Sequence, residues 1–249
     1  MERKIRVGAV DYLNTKPLIY GFENAVKETG IELILDYPAN IASMLAKNEI
    51  DIGLVPVSIL PDLKEYYIVS DYCIGTNGEV GSVCLFSEVE VNEIREIWLD
   101  YQSKTSVALL GILLREYWKI KPQLLEGKPG YELNIKNTTA GLIIGDRALQ
   151  QRKRFKYIYD LGTAWKEMTG LPFVFAAWAS NKEIDPVFLE SFNNITGTGI
   201  RFIKEITEAN PFPAYNLHDY YTRNINYKFD KDKQKALTLF LQLIEKDHN

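Results

Sequence analysis

The stretch Ile5-Arg6-Val7-Gly8-Ala9-Val10-Asp11-Tyr12-Leu13-Asn14-Thr15-Lys16-Pro17-Leu18 reads as a strand delivered directly into a helix. The first six residues are a short apolar strand. From about Lys16 the run Leu18-Ile19-Tyr20-Gly21-Phe22 continues as an apolar helix. Asn14 and Thr15 are good N-cap residues, and Pro17 suits a first helical turn. At such a junction the unpaired N–H groups and the helix dipole point the same way, which attracts anions. From these residues alone, an ordinary capped helix start reads equally well.

The alternation continues outward from there. A strand over 32–37, a helix over 39–47 with Ile41, Met44 and Leu45 at helical spacing, and a buried strand over 50–56 closed by Pro56 come next. Residues 67–72 and 81–86 read as further strands, so the first 86 residues form one α/β lobe with a mostly parallel sheet. From about Glu88 the pattern restarts. Strands are expected over 97–99, 131–135, 141–145 and 157–160, with helices over 107–119, 147–153 and 162–169. Residues 73–80 and 122–130 carry Gly with Asn or Pro at turn-like positions and read as loops. The remainder, 186–206, 217–224 and 231–247, is largely helical.

Two apolar runs, Val83–Ser87 and Phe173–Ser180, bracket the middle block. They suit two chain crossings and a discontinuous organisation, lobe 1 from 1–86 plus 180–249 and lobe 2 from 87–179, although a single continuous sheet would give similar runs. Hinges are expected near 84–88 and 176–180.

Composition excludes several classes of function. The chain has 249 residues, 46% hydrophobic and 25% charged, which suits one large domain or two lobes. A net charge of −4 provides no global basic field for nucleic acid or an anionic membrane. Met1-Glu2-Arg3-Lys4 leads straight into the first strand without an apolar signal region, so a cytoplasmic protein is expected. Cys73 and Cys84 make neither a CxxC pair nor a zinc ligand set. Cys84 sits in an apolar run and reads as a structural thiol. His218 falls at a loop-to-helix junction and reads as a surface residue; His248 is penultimate. Histidine base catalysis and histidine metal sites are therefore not expected. There is no GxGxxG, Walker loop or GxSxG elbow.

Four segments together carry a resemblance. They are Val7-Gly8-Ala9-Val10-Asp11-Tyr12-Leu13-Asn14-Thr15-Lys16-Pro17-Leu18, Gly81-Ser82-Val83-Cys84-Leu85-Phe86-Ser87, Gly145-Asp146-Arg147-Ala148-Leu149, and 165–178, with its Thr169-Gly170-Leu171-Pro172-Phe173-Val174-Phe175-Ala176. In order and spacing the chain from about residue 5 to 180 resembles the chorismate dehydratases of the futalosine route to menaquinone. The resemblance implies a two-lobed periplasmic-binding-protein-like fold (type 2), used as an enzyme, with the ligand in a cleft between the lobes. It implies loss of water from chorismate to give 3-[(1-carboxyvinyl)oxy]benzoate, without metal or organic cofactor. Chorismate, a small dicarboxylate, would be the partner. No nucleic acid or membrane partner is expected, and a homodimer is left open.

That substrate calls for many hydrogen-bond donors, each worth about 1.5–3 kcal/mol when the acceptor is charged. Asn14 and Thr15 at the first helix start, Ser82 beside Gly81, and Thr105 and Ser106 at the helix start of the second lobe are the candidates. Gly81, without a side chain, would let backbone N–H groups approach the ligand. The resemblance favours Asn14 as the catalytic residue and Ser82 as a substrate-binding one. Thr105 and Ser106 read equally as plain caps. Asp146 reads as a cleft carboxylate or an N-cap. Trp165, Phe173, Phe175 and Trp178 read as core or hinge packing, and Pro56, with Val57 and Ser58, as shaping. Two further readings compete: a non-catalytic small-anion binding protein of the same fold, and the related 1,4-dihydroxy-6-naphthoate synthase. The latter's N-terminal motif, rich in serine and proline with an Asn-Asp pair, is missing from this sequence.

Overall fold

A computed structural model describes residues 4–25 and 30–245 of the chain. His248 lies outside the described residues. The strands are β1 (Ile5–Ala9), β2 (Ile31–Leu35), β3 (Ile52–Pro56), β4 (Tyr67–Thr76), β5 (Val83–Ser87) and β6 (Glu96–Leu99). They continue with β7 (Gln123–Glu126), β8 (Thr139–Ile144), β9 (Tyr157–Asp160), β10 (Phe173–Ser180) and β11 (Asn226–Lys228). The helices are α1 (Lys16–Ala25), α2 (Pro38–Ala46), α3 (Lys104–Ile112), α4 (Gly145–Gln151) and α5 (Leu161–Thr169). After them come α6 (Pro186–Thr198), α7 (Ile203–Ala209), α8 (Leu217–Asp219) and α9 (Lys231–Glu245). Among the described residues no helix is long and apolar enough to cross a membrane.

The contacts divide the chain into two units: Met1–Gly75 with Val174–Lys231, and Thr76–Phe173 with Asp232–Asn249. Each is organised by its own sheet, in the orders β11-β4-β10-β3-β1-β2 and β7-β6-β8-β5-β9. The expected lobe limits differ from this division in two places. Val83–Ser87 is no crossing, because β5 pairs with β8 and β9 inside the second sheet; the chain changes unit within β4 and β10 instead. The C-terminal helix joins the second unit rather than the first. Its Phe240 meets Phe173 at a ring distance of 4.9 Å and Trp165 at 6.1 Å.

In the first unit β2, β1 and β3 run parallel, and β10 lies antiparallel beside β3. The helical spacing of Leu18, Ile19 and Phe22 turns one face of α1 into the core, where all three are buried. Phe22 packs against Phe192 of α6 (5.3 Å) and Trp178 of β10 (6.0 Å). Burying each such side chain contributes about 1.5–3 kcal/mol. Glycine is required where α1 meets α6, since a Cβ on Gly21 would stand 2.0 Å from the Ile195 carbonyl oxygen.

In the second unit β7, β6 and β8 are parallel, with β5 antiparallel between β8 and β9. Its core gathers Cys84, Phe86, Tyr131, Ile135, Ile143, Ala148 and Phe155. Two expectations fail here. Residues 131–135 are not a strand but a 3-10 turn, Tyr131–Asn134, entered through Gly130 at φ 90°. The buried members Tyr131 and Ile135 are four apart, a spacing that suits a turn face and that alternation mimics over so short a run. The expected loop 122–130 contains β7, an edge strand carried by register with β6 despite its exposed side chains.

Candidate functional site

Ligands of open α/β sheets lie outside the carboxyl ends of parallel strands, where helices begin. In the first unit, β1 discharges into the turn Leu13–Thr15 and α1, β2 into α2, and β3 into the turn Val57–Asp62. In the second unit, β6 leads to α3, β8 to α4 and β9 to α5. The register of β5 is informative: Val83 lies opposite Ile144 and Cys84 opposite Asp160. The amino end of this antiparallel strand, Gly81-Ser82, therefore shares the edge at which β8 and β9 finish. Residues 81–82, 103–106, 145–146 and 160, far apart in sequence, line up along one edge of one sheet.

Within the first unit, Asn14 and Thr15 are not helix caps. Both belong to a 3-10 turn whose N-cap position, Tyr12, makes no side-chain cap bond. Thr15 is buried, and its hydroxyl donates to Asn14 Oδ1 at 3.3 Å. The partly exposed Asn14 is held a second way: the Tyr227 hydroxyl donates to its carbonyl oxygen at 3.0 Å. Burial pushes the Tyr227 phenol well above its ordinary pKa, so it remains a donor. Lys16, at the same junction, is paired with Asp11, which offsets the charge it would otherwise offer an anion. Tyr227 was missed by sequence reasoning; no local pattern links it to Asn14.

Within the second unit, Ser82 is buried and its carbonyl oxygen accepts the Gly145 N–H at 2.7 Å. Gly81 has φ 74°, a left-handed conformation that favours glycine. Its N–H is not held out to a ligand as expected, because it donates to Asp160 Oδ2 at 2.7 Å. Gly81 thus shapes the approach to Ser82. The cap of α3 is Ser103, whose Oγ accepts the Ser106 N–H at 3.1 Å. Thr105 and Ser106 are buried in the first turn behind it. Asp146 is not the N-cap of α4 either; Ile144 holds that position, and Asp146 lies partly exposed in the first turn.

Two charge clusters, one around the buried Asp100 and one around the partly exposed Asp160, support this edge. Asp100, just past β6, accepts from Arg147 at 2.7 Å, from the Tyr131 hydroxyl at 3.0 Å and from the Ile144 N–H at 3.3 Å. Arg147 also meets Glu132 at 2.5 Å and lies over the Tyr101 ring. Burial raises the Asp100 carboxyl above its ordinary pKa, and Arg147 opposes that shift. The second cluster is centred on Asp160. It caps α5 through the Thr163 N–H (3.0 Å) and also accepts the N–H groups of Val80 (3.1 Å) and Gly81. Burial raises its carboxyl too, against the lowering effect of those N–H groups. Arg152 donates to the Gly81 carbonyl at 3.0 Å and pairs with Glu79 at 2.5 Å. A signal for Asp160 existed, since Asp directly before a helix is a favoured N-cap residue; its reach to Val80 and Gly81 was not legible.

The remaining candidates are structural. Trp165, Phe173, Phe175 and Trp178 are buried, with the Trp165 Nε1–H donating to the Pro172 carbonyl at 2.9 Å. Pro56 ends β3, and Val57 and Ser58 begin the turn after it. His218 is exposed on the short α8. Among the described residues no group of three or more His, Cys, Asp or Glu side chains could hold a metal ion. The chemistry available is hydrogen bonding by amides and hydroxyls beside supporting carboxylates.

A family model described as menaquinone biosynthesis matches residues 5–246. A Thermus thermophilus protein named chorismate dehydratase is 26% identical over 262 residues, spanning 96% of this chain and 94% of the relative. Among solved structures, a protein from Archaeoglobus fulgidus superposes with a TM-score of 0.77 at 16% identity, covering 99% of this chain and 98% of that one. The periplasmic aliphatic sulphonate binding protein SsuA from Escherichia coli follows the same path with a TM-score of 0.64 at 13% identity, covering 100% and 88%. The fold is periplasmic-binding-protein-like.

Proposed function

The chain belongs to that menaquinone-biosynthesis family, and from this premise we propose that it is a chorismate dehydratase, a hydro-lyase of the futalosine route. The observation that carries the reading is the match across nearly the whole chain, to a family model and to a relative of that name. The sheet edges add chemical support, because they gather neutral donors suited to a dicarboxylate.

The reaction removes the proton at C3 and the hydroxyl at C4 of chorismate as water and leaves 3-[(1-carboxyvinyl)oxy]benzoate. Aromatisation supplies the driving force, so the protein's work is to position groups and to stabilise developing charge. Asn14 holds the reacting end by a hydrogen bond to the departing hydroxyl or to the proton-transfer partner. The base is a carboxylate, the substrate's own enolpyruvyl group. Ser82, Thr105 and Ser106 are the hydroxyl donors assigned to the substrate carboxylates, while the Thr15 hydroxyl, given to Asn14 Oδ1, orients that amide. Asp146, whose carboxyl oxygens are acceptors, is matched to the substrate hydroxyl rather than to a carboxylate. Cys73 and Cys84 are buried and form no disulfide, which suits a reducing compartment and supports a cytoplasmic reading.

Incubation of the purified protein with chorismate, followed by chromatography and mass spectrometry, tests the reading. The expected product is lighter than chorismate by one water and has a benzoate absorption spectrum. Chorismate bound but recovered unchanged would make this a binding protein and end the enzymatic reading.

A further inference from the structure

The segment leading to Ser82 is held by hydrogen bonds as well as by packing, with Val80, Gly81 and Ser82 buried. Glu79, at its exposed side, lines a cavity of about 470 Å³ together with Arg152, Asp160, Thr163, Tyr159 and Glu167. Gly78 and Gly81, at φ 129° and 74°, leave its backbone with wide conformational freedom. Against that freedom stand the Thr76 hydroxyl, which meets the Gly78 and Glu79 carbonyls at 3.0 and 3.1 Å, and the Asp160 carboxylate, which holds the N–H groups of Val80 and Gly81. Asp160 Oδ1 accepts the N–H groups of Val80 and Thr163, and Oδ2 accepts that of Gly81. The same side chain therefore caps α5 and ties two successive amides of the loop to it. Arg152 grips the opposite face of Gly81 through its carbonyl. The first turn of α5 can come so close because residue 162 is glycine: a Cβ there would lie 2.4 Å from the Gly78 carbonyl oxygen.

We infer that Asp160 is a positioning residue, which sets Ser82 for the substrate by tying Val80 and Gly81 to the start of α5. This rests on the proposed role of Ser82 in binding chorismate. Asp160 touches no reacting atom; it removes alternative placements of the loop, so that Ser82 meets the substrate without an ordering cost.

Asp160→Asn tests the inference with little change of shape. The amide keeps one acceptor oxygen and turns an NH2 group towards a backbone N–H. In substrate-free protein, amide hydrogen exchange at Val80 and Gly81 should accelerate about tenfold or more, a readout independent of turnover. In steady-state assays with chorismate, KM should rise about tenfold with kcat within about twofold. Combined with Ser82→Ala, the Asp160→Asn effect on KM should shrink to less than about twofold, because the residue through which it acts is gone. Unchanged amide exchange, an equal KM increase in both backgrounds, or a loss confined to kcat would each overturn the inference. If Ser82→Ala alone leaves KM unchanged, the assigned role of Ser82 fails and the inference falls with it. Absence of any turnover by the unaltered protein is the separate failure of the enzymatic reading, and the exchange measurement still decides whether Asp160 holds the loop. Should Asp160→Asn not fold, Arg152→Met, which loses the bond to the Gly81 carbonyl, enters the same cycle with an expected KM increase of about threefold.

Discussion

The two sheet edges are held in contrasting ways. In the first unit the turn carrying Asn14 is secured by neutral groups, the Thr15 hydroxyl and the Tyr227 phenol. In the second unit the loops carrying Ser82 and Asp146 are secured by carboxylates and arginines, the buried Asp100 with Arg147 and the partly exposed Asp160 beside Arg152. Neutral hydrogen bonds contribute about 0.5–1.5 kcal/mol each and depend little on pH. Buried ionic groups add little net stability when intact but cost much when half-removed. The first edge should therefore tolerate change in small steps, and the second should fail abruptly.

The sharpest way to break that contrast is Asp100→Ala, which leaves Arg147 with Glu132 as its one carboxylate partner and takes from the Tyr131 hydroxyl and Ile144 N–H their shared acceptor. Unfolding in urea should show a loss of about 3–5 kcal/mol; a loss below about 1 kcal/mol would mean the cluster is no keystone. Next in size is Asn14→Ala. Under the proposed function, turnover should fall about 10²–10³-fold with KM within about threefold, as for loss of a donor used in the transition state. Equal losses in binding and turnover would count against a catalytic role. Tyr227→Phe, which removes only the bond to the Asn14 carbonyl, should cost about 0.5–1.5 kcal/mol of stability and lower kcat more than it raises KM. A kcat identical to that of the unaltered protein would show that the turn keeps its geometry unaided.

The smallest effect concerns pH and should be present at one edge and absent at the other. Asp100 and Asp160 both have carboxyl pKa values raised above 3.8, chiefly by burial. Just above that value the native state holds more protons than the unfolded chain. The contribution of these groups is therefore greatest at the acid end and declines as pH rises through the window between unfolded and folded values. Urea unfolding at intervals from about pH 4 to 6 should reveal this decline, and Asp100→Asn should flatten it. An unchanged slope in the variant would assign the pH dependence elsewhere. Tyr227→Phe should leave the slope alone, because its phenol is neutral throughout.

Local features of the chain were readable, and long-range ones were not. The junction after β1, the closing of β3 by Pro56 and the helical spacing in α2 are set by neighbours a few residues apart, where periodicity and capping operate. The alternation of strands and helices followed from these and identified the α/β class. Residues 131–135 misled because Tyr131 and Ile135 are buried on one side of a turn, and its first residue is held by Asp100, 31 positions earlier. The sequence candidates Asn14, Ser82, Thr105, Ser106 and Asp146 do lie at strand ends and helix starts, as their local patterns require. What supports them could not be read. Tyr227 is separated from Asn14 by 213 positions, Asp160 from Gly81 by 79 and Arg147 from Asp100 by 47. Capping chemistry identifies a side-chain acceptor at a helix start but not a second strand end brought within its reach by sheet register.

The late return of α9 to the second unit bears on how the protein is made. Phe240 leaves the ribosome well after Trp165 and Phe173, the rings it covers, and after the whole helical stretch of the first unit. Until then those two aromatics lack their covering ring and offer a sticky face to chaperones or to neighbouring nascent chains. Stalling or truncating synthesis before Phe240 should thus yield a chain whose first unit is covalently complete while its second is still open.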